Sequence, residues 1–156
     1  MAIPKEIAKR IGRKEAIKFV TVGLGIAYLI MALLAGPLFL FQIGFQINLA
    51  IAVVVIYTCG YFYGQLAGVA ILIKERNYLW IGLLYSFLTL TTAILISSWT
   101  GFFQEGIKNL GTPDNPFVDY IIRPLVVITL FGLIPVIAVG FWFGSSIRKK
   151  GRKLLE

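Results

Sequence analysis

Apolar residues run through this chain in four long stretches, and every lysine, arginine, aspartate and glutamate falls outside them. The stretches cover residues 19–41, 47–73, 79–103 and 124–144. Each reaches the ~20 residues that an α-helix needs to cross ~30 Å of hydrocarbon. A soluble core would break such runs with polar faces at helical or strand spacing. The pattern predicts an all-α membrane protein, a four-transmembrane-helix bundle over residues 19–147. A basic segment, 1–18, precedes it and a basic tail, 148–156, follows. The second stretch is longer than a span requires, which predicts that it tilts or protrudes.

The connections differ in character. Between the first two stretches lies an uncharged turn, and Lys-Glu-Arg-Asn joins the second to the third. The longest loop, 104–123, contains Gly-Thr-Pro-Asp-Asn-Pro, a strong turn signal. Trp80 at one end of the third stretch and Trp99, Phe102 and Phe103 at the other occupy the places where interfacial aromatics belong. Pro135, central in the fourth stretch, predicts a kink, because the Phe131 carbonyl loses its partner there.

Charge then orients the chain. Six basic residues lie in 1–18, two in the second loop and five in the tail, against only Lys108 and Arg123 in the other two loops. The positive-inside rule places both termini in the cytoplasm and loop 104–123 outside a cytoplasmic membrane. Lys5, Lys9, Arg10, Arg13, Lys14, Arg148, Lys149 and Lys150 are the expected contacts with the anionic inner leaflet of the bilayer. Ile3, Ile7 and Ile11 recur every fourth position among the N-terminal lysines, which predicts a short interfacial amphipathic helix. A plain orienting flank explains the same residues. The excess of basic over acidic residues does not point to nucleic acid, because it gathers where spans meet water.

Composition narrows the chemistry. The chain has 58% hydrophobic and 14% charged residues, one cysteine and no histidine. The absence of histidine removes the commonest metal ligand and general base, and Cys59 alone can form neither an internal disulfide nor a cysteine-rich zinc site. None of the four stretches carries an acidic or basic residue in its central part, whereas proton-coupled exporters need an embedded carboxylate, and the hydroxyls of an intramembrane hydrolase need an accompanying base. Small multidrug exporters are similar in size and span count, but the glutamate they carry in span one has no counterpart in 19–41. The expectation is a protein without catalytic, metal or cofactor site. In the outer loop, Glu105, Asp114 and Asp119 are the only grouped acids. Asp114 reads as a turn residue, and Asp119 as a helix-start residue paired with Arg123 four positions on.

What remains is packing chemistry. Gly60, Gly64 and Gly68 form a doubled G-x-x-x-G, a flat groove for a neighbouring helix of this chain or another. Ser86, Thr89, Ala93, Ser97 and Thr100 share one face of the third stretch and are the expected filling of that groove. Gly132, Gly140 and Gly144 add small positions in the fourth. Gly60-Tyr-Phe-Tyr-Gly64 echoes Gly140-Phe-Trp-Phe-Gly144, as a duplicated hairpin would. Yet Gly64 lies ten residues before Lys74 and Gly144 only four before Arg148, a depth mismatch of about 9 Å, which leaves chance equally open. Beside the glycines run Tyr57, Tyr61 and Gln65, either a polar path or a set of interhelical hydrogen bonds. Together these features predict a helix-packing subunit, assembly factor or membrane-embedded inhibitor that associates with other membrane proteins or with itself. The alternative is an oligomeric channel or facilitator for a small uncharged or weakly polar solute.

Overall fold

The computed structural model describes residues 3–36, 46–104, 106–109 and 115–154. It is all-helical, with no strand among the described residues. Four long helices follow one another: α1 (Lys5–Ala35), α2 (Gln46–Leu72), α3 (Tyr78–Gln104) and α4 (Arg123–Arg152). Among the described residues three segments are long and apolar enough to cross a membrane: Ala50–Leu72, Tyr78–Gln104 and Val118–Arg152. α1 pairs with α2 and α3 with α4, and the two hairpins close into a ring through α2–α3 and α1–α4 contacts.

Local signals set most helix ends. At the α2–α3 turn the amides of Ile73 and Lys74 bond to the Val69 carbonyl, and that of Arg76 to the Ala70 carbonyl. Glu75 takes a left-handed φ of 49°, which reverses the chain. The Asn77 side chain then accepts the Leu79 amide at 3.0 Å and caps α3. The helix leading into α4 begins sooner than the pattern of apolar residues predicts. Asn115 Oδ1 accepts the amides of Phe117 and Val118, and Pro116 takes a first-turn position that needs no amide. A π-helical turn, Val118–Ile122, joins this start to α4, and Asp119 meets Arg123 at 2.6 Å as the spacing predicts. Residues 116–123 are therefore helical rather than loop. α4 runs through Pro135 without interruption and on to Arg152, so most of the basic tail is helix too.

The separate interfacial helix expected in 1–18 is not formed. α1 is one helix from Lys5 to Ala35, and no proline interrupts it. Its charged half lies within the bundle because Ala8, Gly12 and Ala16 form a small-residue stripe at i, i+4, i+8. That stripe fits the α2 glycines, whereas Ile7 of the isoleucine row stays exposed. Ala8, Ala16 and Phe19 are buried. A core of Phe19, Ala67, Ala70, Ile71, Ile81, Phe143 and Ile147 joins all four helices at this end.

The glycine groove of α2 is thus filled by α1, not by the hydroxyl face of α3. A Cβ added at Gly64 would overlap that of Ala16 and come within 2.8 Å of the Gly12 carbonyl oxygen. At Gly60 it would meet Val20 Cγ2 at 2.7 Å, and at Gly68 the Ala8 carbonyl. The α3–α4 pair repeats this seam contact for contact. The Gly64 position faces Gly12 O, Arg13 Cα and Ala16 Cβ, and Gly140 faces Gly82 O, Leu83 Cα and Ser86 Cβ. Gly68 faces the Ala8 carbonyl and Gly12 Cα, and Gly144 faces the Tyr78 carbonyl and Gly82 Cα. One hairpin plan is used twice, and its register pairs Gly64/Gly68, rather than Gly60/Gly64, with Gly140/Gly144. The depth mismatch falls accordingly: Gly68 is six residues before Lys74, leaving a difference of about 3 Å.

Candidate functional site

The expected polar column faces the shoulder of the α1–α2 seam. The Tyr57 and Thr21 hydroxyls share a hydrogen bond of 2.8 Å. Arg13 Nη1 donates to the Tyr61 hydroxyl at 2.8 Å, with its guanidinium 5.0 Å from the ring centroid. Gln65, one turn further on, lines a groove with Glu6, Lys9, Arg10 and Arg13 of α1. Arg13 is therefore fixed by a hydrogen bond and a ring face at once. Lys9 pairs with Glu6 at 2.8 Å, and this hydrogen bond holds the Glu6 carboxyl below its ordinary value. Sequence spacing found the column on α2, but Glu6, Lys9, Arg10 and Arg13, which meet its Tyr61–Gln65 end, come from a charged segment expected to lie elsewhere.

The hydroxyl stripe of α3 divides. Thr89 and Ala93 are buried, whereas Ser86 and Ser97 are half-buried. Ser98, outside the predicted row, is buried in place of Ser97. Thr89, Thr91 and Thr100 bond within their own helix, to the carbonyls of Tyr85 at 2.7 Å, Phe87 at 3.0 Å and Ser97 at 2.6 Å respectively. Tyr63 and Thr92 share the 3.1 Å bond that ties α2 to α3. Towards the far end, Ser97, Ser98, Gly101, Tyr120 and Pro124 line a crevice of about 270 Å³ between α3 and the start of α4. Glu105 and Asp114 lie outside the described residues.

Of the basic residues, Lys5, Arg10, Lys14 and Lys149 are exposed, and Arg148 stacks over the Tyr78 ring at 4.4 Å. Lys150 does something the sequence did not suggest. It forms an ion pair with Glu15, a carboxylate only 2% exposed, and Ser146 Oγ donates to the other carboxylate oxygen at 2.5 Å. Glu15 comes four residues before the first long apolar stretch and reads there as a flank charge. The available signal was its position one residue before Ala16, on the small-residue face. Burial alone would raise this carboxyl, but the hydrogen bonds from Lys150 and Ser146, with the charges of Lys150 and Lys18, outweigh it and hold the group below its ordinary value. The cluster clasps α1 to α4 where the two hairpins meet.

These hydrogen bonds and ion pairs join the helices to one another. Among the described residues no three histidine, cysteine, aspartate or glutamate side chains gather to hold a metal ion. The buried thiol of Cys59 lies on α2. No family model, curated protein or solved structure matches this chain.

Proposed function

We propose that this protein is a four-span, non-enzymatic subunit of a membrane complex, with both termini in the cytoplasm. Three spans are α2, α3 and α4, and the fourth is α1. The glycine seam supports α1 in that role, since it keeps the helix antiparallel to α2 along the length from Ala8 to Val20. The positive charge at the end that carries both termini supports the orientation. The extra length of α2 and α4 then stands beside the charged half of α1 in the headgroup layer.

The observation that supports the subunit reading is the engagement of the α2 tyrosines. Tyr57 and Tyr61 of the polar column bond to α1, and Tyr63 beside it to α3, while Gln65 bonds to no described residue. The small residues bring backbones together in pairs. Polar and small positions thus brace the bundle, and the remaining surface is apolar and broad, with Val126, Leu130, Phe131, Ile134 and Trp142 of α4 all exposed. Such a brace presents a rigid helical face to larger membrane proteins, as an accessory subunit, assembly factor or inhibitor does.

Reconstitution into vesicles separates this from a channel. The account predicts that small neutral solutes enter protein-bearing vesicles no faster than empty ones. In intact cells, membrane-impermeant labels should reach a cysteine placed between residues 105 and 115 but not one placed near residue 150. Uptake that rises with the protein and is lost in Gln65→Leu would establish the channel instead.

A further inference from the structure

The basic groove at the seam of α1 and α2 has the features of a ligand site. We propose that it binds the phosphate of an anionic phospholipid headgroup. Four observations converge. First, two helices build it: α1 supplies Lys9, Arg10 and Arg13, and α2 supplies Gln65, around a cleft of about 210 Å³. That volume suits a phosphate group and is below the ~300–1,000 Å³ of pockets for drug-sized molecules.

Second, the donors are prepared in different degrees. Arg13 is held in place by the Tyr61 hydroxyl and ring, so its remaining N–H groups point with little loss of freedom. Arg10 and Gln65 make no hydrogen bond or ion pair with any described residue. A guanidinium and an amide with open donors, beside a second guanidinium already fixed, match the forked geometry by which arginine takes phosphate oxygens. Glu6 cancels Lys9 through their ion pair and leaves the two arginines as the net charge of the groove.

Third, depth is compatible. Gln65 lies seven residues, about 10 Å, before the end of α2 at Leu72, and the polar layer on one side of a bilayer is about 5–8 Å thick, so with α2 ending at the water the groove stands at the boundary of headgroups and hydrocarbon. Fourth, an apolar track leads away from it. Val54, Thr58, Phe62 and Leu66 share one exposed face of α2, adjacent to the Tyr57, Tyr61 and Gln65 column, and Phe62 is 61% exposed. Acyl chains can lie along Phe62 and Val54 while the phosphate sits at Gln65, Arg10 and Arg13. A soluble phosphate would use the donors but not the track. This inference needs the groove to face a bilayer, and does not depend on whether the protein is a subunit or a channel.

Arg10→Gln is the informative variant, because Arg10 is exposed and its loss leaves the bundle's contacts intact. Lys149→Gln removes an equally exposed charge away from the groove. The probe is phosphatidylglycerol titrated into detergent-solubilised full-length protein and read as retained lipid by native mass spectrometry, with phosphatidylcholine in parallel. The expected result is one tightly held phosphatidylglycerol per chain. Its affinity should drop about tenfold in Arg10→Gln, as loss of a charge-assisted hydrogen bond implies, and change less than about twofold in Lys149→Gln. Unfolding midpoints of both variants should equal that of the parent. Inorganic phosphate should not displace the lipid at matched ionic strength, and displacement would assign the groove to a soluble phosphate compound and overturn the lipid assignment. Equal losses in the two variants would reduce the groove to diffuse positive charge, and equal retention of phosphatidylcholine would remove its preference for an anion. Either would overturn the proposal.

Discussion

Leucine at position 64 will drive α1 and α2 apart, and the protein will lose at least ~3 kcal/mol of stability, at or beyond the upper end of ordinary overpacking. A single Cβ at Gly64 already overlaps Ala16 and crowds the Gly12 carbonyl, which is backbone and cannot swing aside. In a bilayer no water-driven burial offsets the separation, because lipid tails are as apolar as the neighbouring helix. Gly144→Leu should cost about as much, since its seam against Gly82 and Tyr78 repeats the first. Gly23→Leu is the control: no atom lies within 4 Å of its missing Cβ, and the exchange should stay within about 0.5 kcal/mol of neutral. Reversible unfolding in mixed micelles measures all three. A Gly64→Leu protein that unfolds where Gly23→Leu does would refute the seam.

Lys150→Met will reverse the response of the protein to acid. In the parent, the Glu15 carboxyl is held below its ordinary value. Its contribution is therefore complete above the carboxyl's unfolded-state value and is lost as pH falls through the folded one. Acidification from about pH 7 towards 3 should loosen α1 from α4, because the carboxylate that joins them becomes neutral. Without Lys150, burial is the largest remaining influence on Glu15 and pushes the carboxyl up. The variant should then be weakest at neutral pH and should gain stability as acid neutralises the stranded charge. Removal of one partner from a fully buried pair costs roughly 3–5 kcal/mol. Here the Lys150 side chain is 44% exposed, and screening reduces the expected loss at neutral pH to about 1–3 kcal/mol. Unfolding midpoints of both proteins across this pH range test the reversal, and parallel profiles would show that Lys150 does not hold Glu15.

Much of the fold was legible because apolar run length speaks directly to helix length. α2 and α3 lie within a residue of the expected 47–73 and 79–103. The Asp119–Arg123 pair was legible because i, i+4 geometry is local. What sequence could not give was partner choice. Three glycines on α2 announce a groove, but Ala8, Gly12 and Ala16 compete with the α3 hydroxyls to fill it. The lysines and arginines around those small residues hid the winning stripe, since charge suggested solvent or headgroups. Once α1 took the groove, Glu15 was carried inside and met Lys150 from the other end of the chain. That contact spans nearly the whole sequence and has no local signature. The internal repeat is visible in the sequence as an echo one turn out of register, because the aromatic triplets match Gly60/Gly64 to Gly140/Gly144 whereas the seams match Gly64/Gly68 to them. The start of the helix leading into α4 was also present in the sequence. Asn115-Pro116 is a cap followed by a first-turn proline, which the surrounding turn residues masked.

The seams, the clasp and the polar bonds hold the four helices to one another, and the proposed role adds a second membrane protein that the bundle supports. Native mass spectrometry of the protein, extracted gently from its own membrane, tests this most directly. The account predicts a particle in which this chain is held in fixed stoichiometry with a different membrane protein. A particle made of this chain alone, whether single or closed into a ring of identical copies, would contradict it.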